Sequence, residues 1–275
     1  MPGQNEREAI LPGVKRAHEL PCGIWAPGRK LAQFCLTLKN IPGALAAVTK
    51  EVARHHVNIL SGHITAVPGE ERAYVTFFAD LTEATAGPRE LAEALKALDM
   101  VVEAEVLEAE VPGLIIDKVH FPLKFLGQDS VVLNIRMIGH MFSRLDEVFG
   151  TGASVILYEM GMRAGEVVAR GVKAYGLDDL NTLKAIAALG VAAGWGVVEV
   201  VEWDPSSTRL VIRVYENFEC KPIAGRRQRP HSHFVRGIIA GILKAITGAE
   251  VKVRETACMA KGDPYCEFVA EKASS

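Results

Sequence analysis

The stretch Glu255-Thr-Ala-Cys258-Met-Ala-Lys-Gly262-Asp-Pro264-Tyr-Cys266-Glu-Phe268, close to the C-terminus, decides how the second half of the chain is organised. Alternating apolar residues lead into and out of the turn residues 261–264, and this pattern predicts a β-hairpin. A turn centred on Gly262 places Cys258 and Cys266 opposite each other, with Cβ atoms roughly 4.5–5.5 Å apart. Two such thiols can share a metal ion, form a strained bridge or simply pack, and the pattern leaves all three readings open.

The chain upstream of this hairpin alternates between helical and strand periodicity. Apolar spacing predicts helices at 139–149, 153–171, 180–193 and 233–247, and strands at 114–121, 131–138, 197–202 and 208–215. Gly161 and Gly165 lie four residues apart in one predicted helix, and Gly237 and Gly241 do so in another. Because glycine weakens a soluble helix, these pairs indicate close backbone packing or the wall of a cavity.

Residues 30–110 follow the order strand, helix, strand, strand, helix, strand. This order predicts a ferredoxin-like βαββαβ domain, in which the helices cover one face of an antiparallel sheet. The fold class is therefore α+β. Residues 1–29 are rich in proline and glycine and are predicted to form an N-terminal arm, while Val111-Pro112-Gly113 is the predicted boundary to a second domain at 113–271.

Composition limits the classes of function. The 275 residues are 49% hydrophobic, and 31 basic against 33 acidic residues give a net charge of -2. Such a balance supplies no overall field for nucleic acid or an anionic membrane, so direct binding to nucleic acid is not expected. No apolar run has the length of a membrane span and the first residues lack a signal-peptide pattern, so we expect a cytoplasmic protein without membrane contact. Five cysteines, an odd number, argue against a secreted disulfide framework.

The residues Asn40-x-Pro42-Gly43-x-Leu45, followed by Val57-Asn58-Ile59, resemble the signature of the ACT domain. Asn40 stands where the signature has an acidic residue. The resemblance implies an amino acid or small polar metabolite bound near this loop, because a helix N-terminus presents free backbone N–H groups to a carboxylate. The candidate ligand-binding residues here are Asn40, Pro42, Gly43 and Asn58, and the alternative is an ACT fold that only dimerises.

Residues 113–270 are similar to the 4-vinyl-reductase-like small-molecule-binding domain. Three ordered motifs carry the resemblance: residues 216–220, residues 230–241, and the Glu255-to-Phe268 stretch. The resemblance implies an α/β fold related to TRAPP vesicle-tethering subunits, with helices and an antiparallel sheet around an apolar pocket. Its relatives include sensor domains of aromatic-responsive transcription activators. The candidate pocket residues are Tyr158, Met160, Met162, Trp195, Phe218 and Phe234.

In those sensor domains a Glu-x-x-Cys-x7-Cys segment and one upstream cysteine hold a structural zinc ion. Glu255, Cys258 and Cys266 match that segment, but the upstream cysteine falls on Ser232. Because serine is a good N-cap, we expect Ser232 to cap the helix at 233–247. His233 is the predicted fourth ligand, with His231 and Cys220 as alternatives. On a regular strand Glu255 faces away from Cys258, so ligation by Glu255 requires a β-bulge.

These features predict a cytoplasmic ligand-binding regulator with an ACT module and a pocket for an apolar or aromatic molecule. The chain has no G-x-S-x-G elbow, P-loop or complete dinucleotide fingerprint, so no nucleotide cofactor and no catalytic residue are expected. Two alternatives stay open: a reductase acting on a vinyl or aromatic substrate, and a non-catalytic assembly protein. A homodimer is expected under each of them.

Overall fold

The computed structural model describes residues 17–273, which form two compact units divided between residues 131 and 132. In the first unit the strands and helices follow in the order β1 (Gly23–Trp25), β2 (Leu31–Lys39), α1 (Ala44–Arg54), β3 (Asn58–Ala66), β4 (Arg72–Asp80), α2 (Pro88–Lys96), β5 (Val101–Glu108), β6 (Leu114–Ile116), β7 (Lys124–Phe125) and β8 (Gln128–Asp129). The four long strands form one antiparallel sheet in the order β3-β4-β2-β5.

This first sheet confirms the predicted βαββαβ order. The even-numbered residues of β2, from Ala32 to Leu38, are buried against the apolar faces of α1 and α2. Val48 and Val52 come from α1, and Leu91 and Leu95 from α2, at the helical spacing that the sequence shows. The period of two in the strand and of three to four in the helices therefore builds one core.

The opposite face of the same sheet is partly covered by a two-stranded ribbon of β1 and β6, in which Gly23 pairs with Ile116 and Trp25 with Leu114. Ile115 of this ribbon is buried with Leu31 and Phe78. The ribbon joins a strand from the predicted arm to a strand beyond the predicted boundary at 111–113, because both bury apolar side chains on the sheet. The first unit accordingly extends to residue 131. Residues 1–16 of the predicted arm lie outside the described residues.

The second unit contains α3 (Ile135–Phe149), α4 (Gly152–Lys173), α5 (Asp179–Ala192), β9 (Val197–Asp204), β10 (Arg209–Tyr215), α6 (His233–Thr247), β11 (Val251–Ala257) and β12 (Cys266–Lys272). Its strands form an antiparallel sheet in the order β11-β12-β10-β9. The core forms where buried residues of α6, among them Leu243, meet the inward residues of the sheet, among them Phe268. No helix within residues 17–273 is long and apolar enough to cross a membrane.

Two predicted strands differ from the structure. The strand predicted at 131–138 is wrong, because the Asn134 side chain accepts a hydrogen bond from the backbone N–H of Met137 (2.8 Å) and begins helix α3. The strand predicted at 114–121 ends at Ile116, where Asp117 accepts from the backbone N–H groups of Val119 and His120. In both places a short polar side chain outweighs the strand preference of its apolar neighbours.

The four helical glycines lie where α4 and α6 cross. A Cβ atom built on Gly161 or Gly165 would lie within 3.0 Å of the backbone of α6, and one built on Gly237 or Gly241 would come as close to the backbone of α4. Of the two readings that the sequence allowed, close packing is the one the structure shows. The helices touch backbone to backbone because no side chain separates them at these positions.

Candidate metal centre and ligand cleft

Three thiols and one carboxylate of the second unit converge on one point. Cys220, Glu255, Cys258 and Cys266 each offer a ligand atom, and these atoms all lie within 4.8 Å of one another. The three cysteines are fully buried and unbridged, and the sulfur atoms of Cys220 and Cys258 are 3.7 Å apart. Thiolates and a carboxylate at this spacing form a donor set that can hold a metal ion.

Two irregular backbone features create this convergence. The pairing of β11 with β12 shifts register between Glu255 and Ala257, which is the bulge that ligation by Glu255 requires. Cys258 follows the end of β11 and precedes a short 3₁₀ turn, Met259–Lys261, while Cys266 opens β12. The turn passes through Gly262 in a left-handed conformation (φ 104°) that glycine adopts readily. The two thiols therefore meet at the mouth of the hairpin, beyond the last pair of its ladder.

Backbone and side-chain donors surround the sulfur atoms. The N–H of His231 donates to Cys258 and the N–H of Met259 donates to Cys266, each over 3.4 Å. The hydroxyl of Ser232 lies 3.0 Å from the sulfur of Cys220. Hydrogen bonds of this kind stabilise thiolates, which is the form of cysteine that binds metals.

Ser232 does not cap helix α6 with its side chain, contrary to the prediction. Its hydroxyl donates to Glu255 Oε1 (2.6 Å) and its backbone N–H donates to Glu255 Oε2 (3.1 Å). The first N–H groups of α6 are satisfied by Glu219, whose two oxygens accept from Phe234 and Val235 at 2.9 Å each. Ser232 is free to support the cluster because a carboxylate takes its place at the helix N-terminus, where negative charge is favoured.

Crowding shifts the titration of these groups. Burial raises the pKa of Glu255 to about 8, and its contact with Cys258 adds to the rise. Hydrogen bonds with Cys220 and Cys266 lower the pKa of the Cys258 thiol, while the bond with Cys258 raises the pKa of Cys220. Several acids compete for negative charge in a space that excludes water, and a bound cation would relieve that competition.

The structure places Glu255, Cys258 and Cys266 together as predicted, but the fourth member of the cluster is Cys220 and not His233. The ring of His233 instead packs edge-on against the ring of His231, with centroids 5.1 Å apart. Burial, followed by the charges of His231 and Arg236, lowers the pKa of His233 to about 4. Cys220 was a candidate because its motif, residues 216–220, precedes the helix motif; the spacing in sequence gave no means to rank it above His233.

The six predicted pocket residues do not line one pocket. Trp195, Phe218 and Phe234 pack against one another, with ring centroids 5.5 to 6.3 Å apart, and Phe142 joins them 5.7 Å from Phe234. Sequence reasoning missed Phe142, which shares the helical apolar face of α3. Tyr158 lies apart from this aromatic cluster, beneath the guanidinium of Arg236 at 5.3 Å. Met160 is half exposed, and the backbone of Met162 meets Gly237 and Gly241.

A narrow cleft lies beside the aromatic cluster, lined by Gly139, Phe142, Ser143, Leu157, Glu219, Ile223 and His231. The centre of a water-sized molecule can move within about 10 Å³ of it, which is the space of roughly one water molecule. Its walls are mainly apolar. Its polar groups include the carboxylate of Glu219 and the imidazole of His231, whose Nε2 lies 3.0 Å from Asp146.

Glu219 is the buried acid of this cleft. Burial raises the pKa of its carboxyl group to about 8, although three backbone N–H groups oppose the rise. The opposite wall is α3, and none of the residues of that helix is fully buried. An apolar cleft with a few fixed polar groups is the usual form of a small-molecule site, and a loosely packed wall lets such a cleft widen.

In the first unit, the predicted ligand residues lie around the turn from β2 to α1. Gly43 takes a left-handed conformation (φ 90°) before the helix, directly after Pro42, and Asn58 begins β3. The side chain of Asn40 is already engaged, because its Nδ2 donates to the carbonyl oxygens of Val67 (3.1 Å) and Glu70 (2.9 Å). Asn40 therefore holds the β3–β4 turn, a role that its amide nitrogen alone can perform.

We expect the substitution Asn40→Asp to lower the free energy of unfolding by about 1–2 kcal/mol, since a carboxylate cannot donate to two carbonyl oxygens and repels them. Asn134→Asp is the matched control. Asn134 uses only its acceptor oxygen, and aspartate is as good an N-cap, so its stability should stay within about 0.5 kcal/mol of the parent. Urea denaturation of the three proteins measures both changes; equal stability of the two variants would contradict this role of Asn40.

Comparison with known proteins supports both resemblances. Residues 210–272 match the family model of the 4-vinyl-reductase domain. An uncharacterised protein of Methanocaldococcus jannaschii is 32% identical over 123 residues, which cover 44% of this chain and 66% of that protein. An ACT domain-containing protein of Lysinibacillus sphaericus is 38% identical over 74 residues, covering 27% of this chain and 46% of that protein.

Among solved structures, the phenol-responsive sensory domain of the transcription activator PoxR, bound to phenol, superposes with a TM-score of 0.50. The identity is 22%, and the match covers 54% of this chain and 79% of that chain, so the likeness concerns the fold. The chain spans between 46% and 66% of the length of the curated relatives it matches. It carries an ACT-like region towards the N-terminus and a 4-vinyl-reductase domain at the C-terminus, which confirms the two resemblances found in the sequence.

Proposed function

We propose that this chain is a cytoplasmic ligand-binding regulatory protein whose second unit takes up an aromatic small molecule in the cleft beside Glu219. The observation that carries the proposal is the buried carboxylate of Glu219 at the edge of an apolar cleft. A compartment that keeps thiols reduced suits the three buried, unbridged cysteines next to it.

The chemistry of the cleft favours a single-ring ligand with a hydroxyl group. Phe142, Leu157 and Ile223 offer apolar contacts to a ring. Glu219 is a hydrogen-bond acceptor held rigidly by two backbone N–H groups, and a buried acceptor rewards a ligand that donates to it. The cleft must widen to hold a ring. Helix α3 is the wall that moves, because it buries no residue completely, and a small ring needs the smallest displacement.

The cysteine cluster is proposed to hold a structural zinc ion. With Zn–S bonds of about 2.3 Å, two thiolates at a tetrahedral ion lie about 3.8 Å apart. Cys220 and Cys258 show a separation of 3.7 Å. Zinc would fix the β11–β12 hairpin to the N-terminus of α6 through Glu255 and Ser232, and thereby stabilise the segment that carries Glu219 and His231.

Thermal denaturation in the presence of phenols tests the ligand proposal. Phenol or catechol at 100 times its Kd should stabilise the protein by about 2.7 kcal/mol, seen as a rise in Tm, whereas cyclohexane carboxylate should not. Ser143→Phe fills the cleft and should remove the shift. Ser154→Phe changes a serine of α4 outside the cleft and should retain it. The proposal fails if no phenol raises Tm, or if both variants respond alike.

The first unit is proposed to sense an amino acid or a small polar metabolite at the turn from β2 to α1, where Pro42 and Gly43 precede the helix. Its support is the exposed start of α1, which carries no side-chain cap among the described residues. The same thermal assay with the twenty amino acids tests it, and a ligand of this unit should leave the Ser143→Phe response to phenol unchanged.

A homodimer is proposed because α3 and α4 carry large apolar side chains on their exposed surfaces. Those at least 48% exposed are Met137, Met141, Val148, Phe149, Val155, Met160 and Val167. Exposed apolar patches of this kind mark interfaces in soluble proteins. Light scattering coupled to size-exclusion chromatography should give twice the 29.8 kDa chain mass. A monomer at micromolar concentration would remove the assembly role from consideration.

A further inference from the structure

A polar row crosses the first sheet on the face opposite α1 and α2. His63 of β3 pairs with Thr76 of β4, Thr76 pairs with Cys35 of β2, and Cys35 pairs with Glu105 of β5. Directly paired residues share one face of a sheet. The row therefore lies opposite the helix-covered core, on the face reached by the chain that follows β6.

The segment from Asp117 to His120 folds back onto this row. Asp117 Oδ1 accepts from the backbone N–H groups of Val119 and His120, and its Oδ2 lies 2.7 Å from Nδ1 of His120. The other ring nitrogen of His120, Nε2, lies 3.1 Å from the hydroxyl of Thr76. Because a carboxylate only accepts, Nδ1 carries the proton, and the lone pair of Nε2 points towards the row.

This arrangement is the one that protein metal sites use to prepare a histidine ligand. A carboxylate on the far nitrogen fixes the tautomer and the ring orientation and makes the near nitrogen more basic. The carboxylate of Asp117 is well buried, whereas the ring of His120 is 41% exposed and accessible from solvent. A structural role for Asp117 in the turn needs only its Oδ1; the Oδ2 contact serves the imidazole.

A second imidazole stands at the right distance. The rings of His63 and His120 are 5.5 Å apart between centroids and inclined at 75°. With metal–nitrogen bonds of about 2.0–2.1 Å, two imidazoles on one ion at a tetrahedral angle have centroids about 5.2 Å apart. Burial, and then the neighbouring His120, lower the pKa of His63, which favours the neutral form that binds metals.

We propose that His63 and His120 form a second metal site, for a divalent transition-metal ion such as Ni²⁺ or Zn²⁺, with Asp117 as the positioning carboxylate of His120. The site takes two nitrogen ligands from the chain and completes its coordination with water. It clamps the segment 117–120 to strand β3. Cys35 is not a ligand, because two strand spacings of about 4.8 Å separate it from His63 and exceed the combined reach of the two side chains.

The absence of a thiolate ligand makes this site distinguishable from the cysteine cluster. Protein first treated with one equivalent of Zn²⁺ fills the thiolate-rich cluster, and Co²⁺ or Ni²⁺ is then added under isothermal titration calorimetry and optical spectroscopy. We expect a second binding event with weak ligand-field bands and no intense sulfur-to-metal charge transfer. If the cluster holds no zinc, the first equivalent produces charge transfer on addition of Co²⁺, and the second event is unaffected.

Substitutions locate the event. His63→Gln and His120→Gln should each abolish it, and Asp117→Asn should weaken it between about 10- and 100-fold. His140→Gln, at an exposed histidine of α3, is the matched control and should bind as the parent does. His63 lies on an exposed edge strand, so its variant folds even if that of His120 does not. The proposal is overturned if the parent shows no second event, if His63→Gln retains it, or if the event shows thiolate charge transfer.

Discussion

Replacing Gly241 with alanine is expected to lower the free energy of unfolding of the second unit by at least about 3 kcal/mol. A Cβ atom at this position would lie within 3.0 Å of the carbonyl oxygen and carbon of Met162 and the amide nitrogen of Glu166. These are backbone atoms of α4, which no change of rotamer can move. The two helices would have to separate, and the α4–α6 contact would lose its packing along its whole length.

Gly171→Ala is the matched control on α4. No atom of the described residues lies within 4 Å of a Cβ built on Gly171, and its backbone is helical. Alanine there should raise stability by up to about 1 kcal/mol, because it is the better helix former. Urea denaturation followed by circular dichroism measures both variants. If Gly241→Ala were as stable as Gly171→Ala, the close approach of α4 and α6 would be refuted.

The second large effect is expected from Cys220→Ser, which should abolish zinc binding and destabilise the second unit by several kcal/mol. Serine is a poor zinc ligand, and the remaining Glu255, Cys258 and Cys266 would leave the ion with three protein ligands. Elemental analysis of the purified parent should give about one zinc ion per chain. A strong chelator should lower its Tm, and should have no effect on the variant.

A second-site rescue makes this prediction specific to the cluster. The hydroxyl of Ser232 lies 3.0 Å from the sulfur of Cys220 and 3.4 Å from that of Cys266, so a thiol at position 232 enters the same space. The double variant Cys220→Ser, Ser232→Cys should regain zinc, while Cys22→Ser, at an exposed cysteine, should never lose it. Metal-free parent protein that ignores the chelator would mean that the thiols only pack.

Much of the fold follows from local sequence. Helix α6 begins and ends at the predicted residues, His233 and Thr247, because its apolar period is regular and Gly248 stops it in a left-handed conformation. The prediction failed where local signals compete. At 131–138 the run of Val131, Val132 and Leu133 favours a strand, yet Asn134 begins a helix through a single side-chain hydrogen bond.

The candidate site was predicted in part for the same reason. Glu255, Cys258 and Cys266 belong to one hairpin, so their spacing in sequence fixes their spacing in space. Cys220 lies 38 residues before Cys258, and no local pattern reveals which way its side chain points. The exchange of roles between Ser232 and Glu219 at the start of α6 was equally hidden, because either side chain satisfies the rules for capping a helix.

The sequence by itself determined the βαββαβ order of the first unit, most of the helices and strands of the second, and the hairpin that carries two thiols and a carboxylate. These depend on periodicity and turn residues, which act over a few positions along the chain. The tertiary structure alone decided that Cys220 completes the cluster, that the glycines serve close packing and not a cavity, and that His63 meets His120. Such contacts join residues far apart in sequence, and only the packing of whole elements sets their distances.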